Sequence, residues 1–132
     1  MQIQTIAEEV FEAARSVTQI EPFSVRGIHF SQAEAYAVAQ KVADMRGGKI
    51  LGRKIGFTNR LIWPIYDVHE PMWATMTNET VEYTETNLAV VSLSKFCGPR
   101  IEPGIIIAFS KAPPPCATLE EIAGCWLGCC RL

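Results

Sequence analysis

The residues whose types and spacing point most directly to chemistry are Glu102, Pro103 and Gly104, within a stretch predicted to be a strand. Residues two apart on a strand point to the same face. Two carboxylates at that spacing would aim at one point and would suit a hard cation such as Mg²⁺ or Mn²⁺. Glu102 supplies the first carboxylate, but Gly104 has no side chain. The stretch therefore predicts part of a metal-binding pair.

Cysteines near the end of the sequence form the other group that could bind a metal. Cys125, Cys129 and Cys130 lie within eight residues, whereas Cys97 and Cys116 are isolated. The spacing does not match a zinc site, and no fourth ligand is evident. We therefore expect neither a zinc centre nor, in a reducing compartment, disulfides.

Composition excludes several functional classes. The chain has 132 residues, of which 48% are hydrophobic and 20% charged, and its formal net charge is −2. This charge gives no electrostatic basis for binding nucleic acid or an anionic membrane. No apolar run reaches the ~18 residues typical of a membrane span. Because the N-terminus lacks a signal-peptide pattern, we expect a cytoplasmic protein forming a single domain over residues 1–132.

Hydrophobic periodicity predicts the elements that position these groups. An apolar stripe predicts a helix over residues 3–17, and the Ser31-Gln32-Ala33-Glu34 capping box begins a second helix that Gly47 and Gly48 end. Strands are predicted over residues 49–57, 88–93 and 101–109, with a short helix or turn over 59–66 that stops near Pro64 and a last helix beginning at Thr118. This order predicts an α+β fold, two N-terminal helices followed by part of a mixed β-sheet. The strands are few, so a complete sheet needs more chain than is present.

Six segments in matching order and spacing resemble the fumarylacetoacetate hydrolase superfamily, in its branch of 2-oxo-4-pentenoate hydratases and 2-oxo-3-hexenedioate decarboxylases. The resemblance extends to about Gly124 and covers the N-terminal half of such a protein. The segments are Ala35-Tyr36-Ala37-Val38-Ala39-Gln40, Leu51-Gly52-Arg53-Lys54-Ile55-Gly56-Phe57-Thr58, Glu70-Pro71-Met72-Trp73, Arg100-Ile101-Glu102-Pro103, Lys111-Ala112-Pro113-Pro114 and Thr118-Leu119-Glu120-Glu121.

The resemblance implies a fumarylacetoacetase-like β-sheet roll and a metal-dependent lyase of aromatic meta-cleavage catabolism. In such enzymes a small 2-oxo acid chelates the bound Mg²⁺ or Mn²⁺, and a lysine helps to move protons. The resemblance implies that Lys54 is the catalytic lysine, that Arg53 and Trp73 contact the substrate, and that Glu102 is the first metal ligand. The second ligand position falls on Gly104 and the third beyond the end of this chain, so we expect weak or absent turnover.

Simpler interpretations stand beside these roles. A lysine on a strand, such as Lys54, is commonly a solvated surface charge, and His29 and His69 are expected to be surface or capping residues. Trp63, Tyr66 and Trp73 are most simply core aromatics.

Three functions remain open: a hydratase or decarboxylase, a non-catalytic remnant used for binding or assembly, and a binder of small oxo acids around Lys54. We expect a homo-oligomer, because a truncated chain exposes apolar strand surface. Residues 125–132 form an atypical tail, which we interpret as an out-of-frame reading of the family's helix sequence.

Overall fold

The computed structural model describes the backbone of residues 3–131 and the side chains of residues 3–127. Among these residues the fold is α+β, as predicted, with four α-helices and two antiparallel sheets of two strands each. The chain forms two compact units, Met1–Cys97 and Gly98–Leu132. The elements are α1 (Ile3–Arg15), α2 (Gln32–Arg46), β1 (Ile50–Gly56), α3 (Trp63–Tyr66), β2 (Met72–Thr77), a 3-10 turn (Leu93–Lys95), β3 (Ile105–Phe109), α4 (Leu119–Ala123) and β4 (Trp126–Arg131).

The core of the first unit lies between α1 and α2. Its buried residues are Ile6, Ala7 and Val38. Seven partly buried side chains pack around them: Ile3, Val10, Phe23, Ile28, Phe30, Val42 and Met45. The helix predicted over residues 3–17 ends at Arg15, because Val17 adopts a positive φ of 54° that a helix does not accommodate.

Local capping interactions fix both ends of α2, as predicted. Ser31 and Glu34 form the capping box, in which the Ser31 hydroxyl accepts a hydrogen bond from the backbone N–H of Glu34. The Ser31 hydroxyl and N–H both donate to the Glu34 carboxylate, which lowers the pKa of Glu34. Gly47 caps the other end with a φ of 72°.

The hairpin of β1 and β2 confirms the strand predicted over residues 49–57. Gly48 lies just before β1 with a φ of 87°, and a Cβ there would approach Asn78 Oδ1 to 2.8 Å. The same Oδ1 accepts the backbone N–H of Lys49. Only glycine therefore fits this corner without strain.

Three sequence predictions differ from the structure. Residues 88–93 do not form a buried strand, and Val90 is 92% exposed. Pro64 does not stop the helix but lies in the first turn of α3, where its missing N–H costs nothing. The strand predicted over 101–109 begins only at Ile105, because Pro103 cannot donate a ladder hydrogen bond.

The second unit consists of the antiparallel pair β3 and β4 with the short helix α4. The last helix begins after Thr118, as predicted, and Thr118 and Glu121 form a capping box there. Residues 126–131 of the tail pair with β3 as strand β4, and Cys125 just before it is buried. Ile105 and Ile107, which share one face of β3, remain 71% and 53% exposed. Within the part of the chain that the structure describes, no helix is long and apolar enough to cross a membrane.

Candidate functional site

The hairpin of β1 and β2 sets the directions of three of the residues singled out from the sequence. Arg53 is paired with Thr75, Lys54 with Ala74 and Ile55 with Trp73, without a register shift between them. Because side chains alternate along a strand, Arg53 and Trp73 share one face, whereas Lys54 points to the other.

Arg53 and Trp73 are diagonal neighbours on that face and are in contact. The Arg53 guanidinium carbon lies 4.8 Å from the centre of the Trp73 ring, a cation–π arrangement. Arg53 Nη1 also donates to the carbonyl of Gly52 at 3.4 Å, which is long for a hydrogen bond. No carboxylate among the described residues forms an ion pair with Arg53. The guanidinium therefore retains donor capacity for an anion.

Helix α2 holds Trp73 from outside the hairpin. The ring of Tyr36 stacks on the ring of Trp73, with centroids 4.9 Å apart and planes inclined by 17°. The backbone N–H of Trp73 donates to the Tyr36 hydroxyl at 3.3 Å. Gln32, in the first turn of α2, also donates to the carboxylate of Glu70 in the loop before β2. These contacts dock the start of α2 onto the start of β2.

Tyr36 lies in one of the six segments that resemble the family, but the sequence indicates no role for it. Its neighbours Ala35 and Ala37 are small, and the next buried residue of α2 is Val38. No local pattern predicts the contact with Trp73, because it depends on how α2 packs on the hairpin.

An open cavity of about 390 Å³ lies beside this cluster. Small-molecule pockets have similar volumes, roughly 300–1,000 Å³, but this cavity is open to solvent, because Ile55, Met72 and Trp73 remain 62%, 43% and 42% exposed. Its walls are apolar except for the Arg53 guanidinium. The lining residues are Arg53, Ile55, Pro71, Met72 and Trp73. One cation at the side of an apolar cavity suits a small acid that carries a single carboxylate on an apolar body.

Lys54 lies outside this cavity. It is exposed at the middle of β1, opposite Ala74 on β2. Within the hairpin, its side chain and that of Arg53 therefore lie on opposite faces of the two-stranded sheet. The structure brings Arg53 and Trp73 together but does not bring Lys54 to their side of the sheet.

Glu102 belongs to the second unit and is exposed. Its backbone precedes β3, so the prediction that it lies on a strand is wrong. The described residues include no group of three or more His, Cys, Asp or Glu side chains placed to hold a metal ion. Gly104 offers no side chain beside it. The residues present therefore do not fit the Mg²⁺ or Mn²⁺ site that the family resemblance implies.

Comparison with known proteins gives two relatives. The chain is 24% identical over 134 residues to a 2-hydroxyhexa-2,4-dienoate hydratase of Comamonas testosteroni, an overlap covering 97% of this chain and 50% of that protein. It is 26% identical over 112 residues to a 2-hydroxypent-2,4-dienoate hydratase of Pseudomonas putida, covering 83% of this chain and 50% of the relative. The chain thus spans about half the length of the curated relatives it matches. No protein-family model and no solved structure matches it.

Proposed function

We propose that this chain is a hydratase-type protein of the fumarylacetoacetate hydrolase superfamily, acting on a 2-hydroxy-2,4-dienoic acid. The observation that carries the proposal is the similarity to two hydratases, which extends along 97% of the chain for the first. Both relatives are named as hydratases, which favours addition of water over loss of carbon dioxide. Because the overlap covers 97% of this chain and 50% of the first relative, residues 1–132 would correspond to half of a fumarylacetoacetase-like roll.

The substrate carboxylate would bind the guanidinium of Arg53, with the carbon chain against Trp73 and the apolar cavity wall. Charge-assisted hydrogen bonds from arginine suit a carboxylate, and the apolar side chains beside Arg53 would contact the carbon chain of the acid. In this role the two residues orient the substrate and need no metal ion.

Lys54 would act in proton transfer, as the family resemblance implies. It points away from Arg53 within the hairpin, so an acid bound in the cavity of one hairpin does not contact the Lys54 of that hairpin. Turnover would then require that the Lys54 of a second copy of the chain contacts the bound acid. The proposal therefore includes a homo-oligomer, which the exposed apolar face of β3 also favours.

Turnover by the chain itself would be low. Glu102 is the one residue that the resemblance places at a cation within this chain, and Gly104 removes its neighbour. A single carboxylate binds Mg²⁺ weakly, because that ion gives up water reluctantly.

A direct assay tests the proposal. Purified protein is incubated with 2-hydroxypenta-2,4-dienoate and Mg²⁺ or Mn²⁺, and the loss of dienol absorbance is followed. We expect slow turnover that Lys54→Ala abolishes and Lys41→Ala, at an exposed site on α2, preserves. Turnover that is absent in the parent and in Gly104→Glu would refute a hydratase.

The second candidate is a non-catalytic binding or assembly protein. The cavity beside Arg53 favours it, because binding there uses only contacts that this chain already makes. Calorimetric binding of a dienoic acid without any turnover would support this candidate over the first.

A further inference from the structure

The aromatic contact between Tyr36 and Trp73 joins residues that are 37 positions apart and links α2 to the cavity wall. Trp73 lines the cavity, whereas Tyr36 does not. Tyr36 is also less exposed than Trp73, which is 42% exposed. Tyr36 therefore supports a lining residue without itself facing the cavity.

The orientation of Arg53 depends on the same ring. Its guanidinium lies 4.8 Å from the Trp73 ring centre, and the hydrogen bond that it donates to the Gly52 carbonyl is long. A flat guanidinium packed on an aromatic ring keeps its N–H edge available for a carboxylate. An arginine without such support loses side-chain entropy when it binds an anion.

We propose that Tyr36 is a positioning residue for carboxylate recognition. It fixes the indole of Trp73 from helix α2, and the indole in turn holds the Arg53 guanidinium at the cavity wall. The inference rests on the proposed function for its ligand class, a small acid with a conjugated apolar body. It requires neither turnover nor a metal ion.

The ligand chemistry follows from the cavity. The carboxylate of the ligand would bind Arg53, and its apolar body would contact the lining residues Ile55, Pro71 and Met72. An uncharged amide of the same shape retains the apolar contacts but loses the charge-assisted hydrogen bonds, so it should bind more weakly.

The test measures binding by calorimetry in the presence of a chelator, with hexa-2,4-dienoate as the probe and hexa-2,4-dienamide as its uncharged match. We expect the parent protein to bind the acid about tenfold more tightly than the amide. Arg53→Gln should remove this preference. The matched control is Arg60→Gln, since Arg60 lies 5.7 Å from the Trp63 ring but does not line the cavity.

Substitutions of Tyr36 separate positioning from general support. Tyr36→Phe keeps the stacked ring and should retain acid affinity within about twofold, because the hydroxyl contact is long. Tyr36→Met keeps apolar volume without the ring and should reduce the preference for acid over amide to about that of Arg53→Gln. Tyr66→Met is the control, because Tyr66 contacts Phe57 at 5.6 Å outside the cavity.

A preference for acid that persists in Tyr36→Met, or is lost equally in Tyr36→Phe, would overturn the role of the stacked Tyr36 and Trp73 rings. Absence of acid binding by the parent would overturn the site. If Tyr36→Met does not fold, Tyr36→Leu is measured in its place. The shift of the Arg53 Nε–H resonance on adding acid is also compared between the parent and Tyr36→Phe. The inference requires the two shifts to be equal. Acid binding with no turnover by either the parent or Gly104→Glu would leave this inference standing and refute the proposed function, whereas turnover without acid binding under chelation would do the reverse.

Discussion

Arg53 and Lys54 are consecutive residues of β1, yet they serve opposite faces of the hairpin. Arg53 contacts Trp73 on the face covered by the start of α2, and Lys54 lies opposite Ala74 on the other. The side chains of Arg53 and Lys54 therefore cannot bind the same small ligand within this hairpin. Binding and proton transfer should therefore respond separately to mutation.

Lys54→Ala should lower hydratase turnover by about 10²–10⁴-fold, the usual contribution of a general acid or base. It should leave the Kd of hexa-2,4-dienoate within about twofold, because Lys54 is outside the cavity. Steady-state kinetics and calorimetry on the same preparation measure both quantities. A parallel loss of binding would contradict the separation of the two faces.

Gly104→Glu should tighten Mn²⁺ binding by about tenfold, because a second carboxylate is added two residues from Glu102. The substitution meets no steric obstacle, since nothing lies within 4 Å of a Cβ at Gly104. Calorimetry with Mn²⁺ measures the gain. Gly52→Glu, at a site that is equally open, is the control and should leave the affinity unchanged.

Gly48→Ala should lower the free energy of unfolding by about 1–2 kcal/mol, because alanine is strained at positive φ. Its Cβ would also displace Asn78 from the Lys49 N–H. Urea denaturation gives the difference. Gly56→Ala is the control, since that site has neither positive φ nor a close neighbour, and an equal loss there would refute the explanation.

Ser31→Ala should destabilise α2 by about 1 kcal/mol through loss of its N-cap. The pKa of Glu34 is lowered in the folded chain from an ordinary value of 4.5, first by the Ser31 side chain. A lowered folded pKa adds stability above the unfolded value, and this stability is lost as the pH falls through the folded value.

The difference in unfolding free energy between the parent and Ser31→Ala should therefore be larger at pH 7 than at acidic pH below 4.5. Chemical denaturation at both pH values measures it. Ser24→Ala, whose parent hydroxyl makes no hydrogen bond among the described residues, should show no such trend. An unchanged difference would contradict the linkage.

Association through β3 should be visible by sedimentation velocity. Ile107→Lys places a charge on the exposed face of the strand and should shift the protein toward monomer. Val90→Lys is the control, because Val90 is 92% exposed and lies outside the strands. A parent protein that is already monomeric would contradict the proposed oligomer.

Local signals predicted the parts of the fold that depend on neighbouring residues. The starts of α2 and α4 were predicted correctly at Ser31 and Thr118, where the donors and acceptors of each cap are only three residues apart. The stretch over residues 88–93 was wrongly predicted as a strand, because the β preference of valine takes effect only where a partner strand is available. Pro103 delayed β3 for a related reason, since it cannot join a ladder.

The site was harder to predict than the helices. Arg53 and Trp73 were selected from the sequence, and the structure brings them into contact. Their support by Tyr36 depends on how α2 docks on the hairpin, which no local pattern encodes. The division between Arg53 and Lys54 does follow from strand alternation alone and could have been derived from the sequence.

Helix α2 carries Val38 in the core against α1 and Tyr36 against the hairpin. A molecule that binds beside Trp73 would thus bind only while the helical pair is folded, and its binding should raise the melting temperature of the first unit by mass action. Substitutions that weaken the α1–α2 interface would then lower the affinity for a ligand, although they lie outside its binding site. Variants with a more stable helical pair should hold Trp73 in place at higher temperature and so keep binding the ligand there.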